Sequence, residues 1–119
     1  RTLIVHGEGG PDELTTTGPS RIMSLEAGEI TEIEVDATDL GLARVTVDDL
    51  AGGDALVNAE ISRRVFAGEA GPARDIVVLN AGAGLVAAGI ANDLGAGVEA
   101  AAAAIDDGRV AAKVSALQA

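Results

Sequence analysis

Apolar and polar residues alternate over much of the first third of the chain; beyond it, apolar positions recur at helical spacing. Thr2-Leu3-Ile4-Val5 is a short, β-branched apolar run that predicts a buried strand. Ser20 to Leu25 alternates, Glu26-Ala27-Gly28-Glu29 supplies a turn, and Ile30 to Val35 alternates again. The three pieces predict a β-hairpin with one buried and one wet face. Asp36 to Arg44 reads as a connecting loop, with Thr38-Asp39 capping a short turn before Gly41. Asp54 is placed to cap a helix from about Ala55 to Ala67, with Val57, Ile61 and Val65 on one apolar stripe; Gly68 closes it and Gly71-Pro72 opens the next element. Asp75 to Ala91 is the most apolar stretch. Ile76 to Leu79 alone would suit a strand, but the length and the alanines predict a helix buried on most sides, its glycines permitting close packing. Helices are also expected over Gly95 to Asp107 and Arg109 to Leu117, parted at Asp106-Asp107-Gly108.

About three short strands followed by about four helices make an α/β unit. A complete α/β domain normally alternates the two, so this order predicts a portion of a larger mixed-sheet domain whose other strands lie upstream. The 119 residues hold one domain at most. The first residue is Arg1, not Met, and a strand begins at the second, so the expectation is a piece of something longer.

Composition narrows the function. Nearly half of the chain is hydrophobic, but aromatic residues amount to a single Phe66 and there is no cysteine. No disulfide framework or thiolate chemistry is available, in keeping with a cytoplasmic protein. The formal net charge of −11 repels phosphate backbones and anionic membranes, and the lack of aromatics removes stacking platforms for single strands. Nucleic acid and membrane are therefore not expected partners, and no apolar stretch is long enough to span a bilayer. An anionic substrate would need a metal or backbone donors to screen the charge.

The candidate chemistry lies at residues 6 to 17, where the first strand runs into glycines and then into Asp12-Glu13. Backbone can approach a ligand closely at such a strand end, and paired carboxylates can hold a hard cation such as Mg2+ through oxygen. The plainer alternative for the acid pair is a solvated loop or a complement to a helix dipole. His6, the lone histidine, could serve as a base; with no partner acid at a clear spacing, a structural or substrate-lining role is the better reading. Gly7 and the hydroxyl of Thr15 are further substrate-lining candidates, against a plain loop entering the next strand. Gly52-Gly53-Asp54 lacks the lysine and long preceding strand of a phosphate-binding loop and reads as a turn plus N-cap. Asn58, Asp75 and Asn80 are expected to bond backbone, fixing helices and loops, with influence on the acidic loop.

Four segments in register carry a resemblance: Val5-His6-Gly7 through Gly10 to Asp12-Glu13-Leu14-Thr15; Gly52-Gly53-Asp54 with Asn58-Ala59; Gly68-Glu69, Gly71-Pro72, Arg74-Asp75, Val77 and Leu79-Asn80-Ala81; and Gly97-Val98, Ala101, Ile105-Asp106 and Gly108. Together they resemble anthranilate phosphoribosyltransferase, over essentially all 119 residues. The resemblance implies a homodimeric enzyme of tryptophan biosynthesis. It transfers phosphoribosyl from PRPP to the amino group of anthranilate, with Asp12 and Glu13 holding a Mg2+ associated with the pyrophosphate. It also implies that residues 1–119 are the C-terminal part of the large α/β domain. The helical N-terminal domain, the glycine-rich phosphate loop, a basic segment and the anthranilate-contacting arginine lie outside them, so the chain alone is expected to be inactive. The rival readings are a pyrimidine nucleoside phosphorylase-like enzyme and a non-catalytic binding relative of the same fold. His6-Gly7 and Asn80-Ala81 favour the transferase over the first, and the acid pair with the net charge argues against the second.

Overall fold

The computed structural model describes residues 1–118. Three strands, β1 (Thr2–Gly7), β2 (Pro19–Glu26) and β3 (Glu29–Asp36), precede four helices, α1 (Ala55–Phe66), α2 (Pro72–Ala87), α3 (Leu94–Asp106) and α4 (Arg109–Gln118). Short 3-10 turns at Ala37–Leu40 and Asp48–Leu50 lie between sheet and helices. The sheet order is β1-β2-β3, both pairs antiparallel, with Val5 opposite Ile22 and Ile22 opposite Ile33. The β2–β3 turn has positive φ at both Ala27 and Gly28, the twist that a two-residue hairpin favours.

Register places Leu3, Val5, Ile22 and Val35 on the sheet face that meets the helices, and all four join the core. Val78, Leu79, Ala83, Val98, Ala101 and Ile105 enter it from α2 and α3. These two helices cross at glycines: a Cβ on Gly82 would lie 2.7 Å from the Val98 nitrogen, so backbone meets backbone there.

Four expectations need correction. β1 is half-buried, since Ile4 on its outer face is 64% exposed. Alternation on β1 puts apolar residues on both faces, and the described chain covers only one. The Val57–Ile61–Val65 stripe buries fully only Val65, Val57 remaining 48% exposed. The helix expected at 75–91 starts earlier and stops earlier. Pro72 opens its first turn, while Gly89, at φ +72, lets the Ile90 and Ala91 N–H groups fold back onto the Leu85 carbonyl. It buries one stripe instead of most sides, leaving Ala81 and Gly84 exposed. Finally, the turn before Gly41 is capped by Asp36, whose carboxylate accepts from the Thr38 N–H; Thr38 and Asp39 lie inside the turn.

Candidate functional site

The loop between β1 and β2 is built from its glycines outward. Gly7 N–H donates to the Pro11 carbonyl at 3.1 Å and Gly10 N–H to the Gly7 carbonyl at 3.2 Å, with Gly9 and Gly10 both at positive φ. This tight reversal delivers Asp12 and Glu13 to the surface, where both are exposed. Immediately after them the chain dives inward: Leu14 is 0% exposed and belongs to the core.

Asn80 on α2 fastens that descent. Its side-chain oxygen accepts from the Leu14 N–H at 2.9 Å, and its amide nitrogen donates to the Leu14 carbonyl at 2.8 Å and to the Ile76 carbonyl at 3.0 Å. One side chain therefore satisfies both backbone groups of a fully buried residue, and bolts the acid pair's neighbour to a helix. Asn58 works the same way locally, bonding both the N–H and the carbonyl of Gly53 before α1. Asp54 caps α1 through the Leu56 and Val57 N–H groups. Asp75 lies in the first turn of α2.

Thr15 is 1% exposed, and its hydroxyl bonds Thr17 Oγ1 at 2.8 Å and accepts from the Thr17 N–H. Thr15 N–H donates to the buried Ser20 Oγ at 3.0 Å. Gly7 is small because Thr15 requires it: a Cβ there would lie 2.9 Å from Thr15 Cγ2. Ser20 carries no signal in sequence, reading as one more small polar residue at a strand start. The strap after β3 is a second support, also silent in sequence, joined to the loop by a bond from Val45 N–H to the Thr16 carbonyl. Asp36 anchors it, paired with Arg44 and bonded by Thr38. The Thr38 backbone and hydroxyl donors, aided by the Arg44 charge, hold the Asp36 carboxyl below its ordinary value. Further along, the Thr46 hydroxyl and then its backbone N–H do the same for Asp49.

The sequence candidates do not share one cavity. Glu13, Thr15 and Thr17 border a hollow of about 320 Å3 whose far side includes Val47, Phe66 and Val77. His6 is exposed on the outer sheet face opposite Arg21, beside a separate hollow of about 300 Å3 that Glu8 and Glu34 also line. Among the described residues no three His, Cys, Asp or Glu side chains converge as a metal site. Asp12 and Glu13 offer hard oxygen donors suited to Mg2+ in kind, yet Mg2+ demands six ligands, so phosphate or water oxygens would have to complete the set. No described helix is long and apolar enough to cross a membrane.

The glycine-tightened strand end thus presents paired acids on a loop anchored to the helical layer. Residues 1–111 match the model of the glycosyl transferase family, a/b domain, and the chain belongs to that family. Within it, the chain is similar to proteins named anthranilate phosphoribosyltransferase. It is 49% identical over 117 residues to that of Syntrophotalea carbinolica, covering 98% of this chain and 33% of the relative. With that of Methylocella silvestris the identity is 47%, over 98% of this chain and 34% of the relative. The crystal structure of the Thermus thermophilus enzyme superposes with a TM-score of 0.82 at 38% identity, over 92% of this chain and 32% of that one. A Saccharomyces cerevisiae enzyme solved in complex with PRPP and Mg shares the fold, with a TM-score of 0.78 at 22% identity over the same shares. The chain thus spans about a third of the length of the curated relatives it matches.

Proposed function

We propose that the chain is the C-terminal part of the large α/β domain of an anthranilate phosphoribosyltransferase, with a helical N-terminal domain and further sheet supplied by the length it does not span. The observation that carries this is the match of nearly the whole chain, at 49% identity, to a relative of that name. The anchored acid pair gives it a chemical rationale. In the reaction, the bond from the ribosyl anomeric carbon to pyrophosphate breaks, a bond from the same carbon to the anthranilate amine forms, and the amine gives up a proton. The products are N-(5-phosphoribosyl)anthranilate and pyrophosphate.

Asp12 and Glu13 would hold Mg2+, which when bound neutralises phosphate charge on the substrate and on the departing pyrophosphate. Asn80 fixes the backbone at Leu14, and so the end of the loop on which those acids stand, while their side chains remain exposed. Gly7 and Thr15 shape the loop, and His6 borders the outer-face hollow at the same end of β1. A place in tryptophan biosynthesis, a homodimer and a cytoplasmic location belong to the same reading.

The test uses a full-length chimera in which this chain replaces the matched segment of the Syntrophotalea carbinolica enzyme. Asp12→Asn with Glu13→Gln should raise the Mg2+ concentration required for PRPP turnover and cut kcat/KM by about 100-fold or more, a loss of about 3 kcal/mol in transition-state stabilisation. An unchanged magnesium dependence would remove the acids from the role assigned to them. A wild-type chimera that folds but makes no product from PRPP and anthranilate would sink the transferase reading.

A further inference from the structure

The loop that carries Asp12 and Glu13 is closed at its neck by Pro19 and Ser20, at the start of β2. At its entry the Glu8 N–H donates to the Pro19 carbonyl at 2.9 Å. At its exit the Thr15 N–H donates to Ser20 Oγ at 3.0 Å. Gly7 stands opposite Ser20 in the sheet and forms the floor of the neck. A Cβ on Gly7 would lie 2.9 Å from Thr15 Cγ2 and 3.0 Å from the Glu13 carbonyl oxygen, so the backbone of Glu13 rests on the strand end. Between the two ties, Gly9 and Gly10 stand at positive φ with open space around them, and Asp12 and Glu13 are exposed. The acids are therefore placed from the neck and from Leu14, not from the tip of the loop.

Ser20 is 3% exposed and Thr15 is 1% exposed, so bulk water cannot replace the Ser20 hydroxyl as partner of the Thr15 N–H. Loss of that hydroxyl would leave a buried donor unpaired close behind Glu13. Only a shift of Thr15, and with it of the loop's exit, would relieve the strain. We infer that Ser20 is a positioning residue for the acid pair: its hydroxyl closes the neck and so sets the Mg2+ requirement of the site. The inference rests on the proposed Mg2+ role of Asp12 and Glu13. Ser20 acts on them through the Thr15 backbone, as groups that orient the ligands of a metal do.

The test uses the chimera with the Syntrophotalea carbinolica enzyme and two readouts. One is the Mg2+ concentration at half-maximal turnover. The other, read by calorimetry, is the Mg2+ concentration at half-maximal binding of inorganic pyrophosphate. Ser20→Ala should raise both about tenfold, while kcat at saturating Mg2+ stays within about twofold. Ser20→Thr keeps an Oγ and should stay within about twofold of wild type in both. Val98→Ala, in the core at the α2–α3 crossing, controls for lost stability and should lower Tm with both requirements unchanged. A Ser20→Ala chimera that melts lower but keeps the wild-type Mg2+ requirement would overturn the inference, as would an equal rise in Val98→Ala or Ser20→Thr. A rise in Asp12→Asn with Glu13→Gln but none in Ser20→Ala removes the positioning role and leaves the acids in theirs. No rise in the acid variant removes the metal reading, and the inference with it. The pyrophosphate arm involves no turnover, so it decides the matter even for a chimera that makes no product.

Discussion

Asn80 does at one position what the acidic loop cannot do for itself. The segment that carries Asp12 and Glu13 is neither helix nor strand, so the Leu14 N–H and carbonyl have no ladder partner, and Leu14 is wholly buried. Asn80→Leu should leave both groups unpaired and lower stability by about 2–3 kcal/mol in urea denaturation, with amide exchange at Leu14 accelerated. Asn80→Asp keeps the acceptor for the Leu14 N–H but, when ionised, sets a carboxylate against the Leu14 and Ile76 carbonyls, so it should also lower stability at neutral pH. Asp36 predicts a pH effect. Its folded-state carboxyl is held below the ordinary value of 3.8, chiefly by the Thr38 donors, so the fold favours the ionised form. The contribution is complete above about pH 4 and disappears as pH falls through the lowered value. Melting temperatures of wild type and Asp36→Asn should therefore differ at pH 7 and converge as pH falls below 3.8 and through the lowered value. Of these two residues, Asn80 stands out in sequence as a polar side chain within an apolar helix. Asp36 does not, because its partners Thr38 and Arg44 meet it only after the strap has folded back.

The crossing of α2 and α3 depends on Gly82, while Gly84 on the same helix takes no part in it. Gly82→Ala would gain about 1 kcal/mol of helix propensity, but its Cβ would lie 2.7 Å from the Val98 backbone nitrogen. The overlap, costing about 1–3 kcal/mol with backbone on the far side unable to give, should win and lower Tm. Gly84, two residues on, is exposed and faces open space, so Gly84→Ala should raise stability by about 0.5–1 kcal/mol. A scanning calorimetry comparison of the two variants checks the pair. All three strands and all four helices were readable from alternation, helical spacing, alanine content and the turn or cap residues that part them. The C-terminal limit of α2 was not: a run of alanine and glycine has no polar punctuation, and only the backbone at Gly89 ends the helix.

At the scale of the molecule, one face of the sheet meets the helical core and the other is exposed among the described residues. On the proposed function the acid pair is incomplete, since two carboxylates would leave most of the six ligands of a Mg2+ to phosphate or water oxygens. Titration of the 119-residue chain with PRPP and Mg2+ should accordingly show no binding or only millimolar binding by calorimetry. Tight binding would mean that the chain holds more of the phosphate site than its acids account for.

The order of elements, the acid-bearing loop and the family resemblance were determined by the sequence, since local periodicity and short-range turn chemistry fix them before any long-range contact forms. Which face of β1 is left bare, the separation of His6 from Glu13 and Thr15 into different hollows, and the bond from Asn80 to Leu14 across 66 residues were decided by the tertiary structure alone. The packing of loop, sheet and helices against one another is a matter of long-range contact. It depends on which side chains meet across the core, and no window of sequence contains both partners.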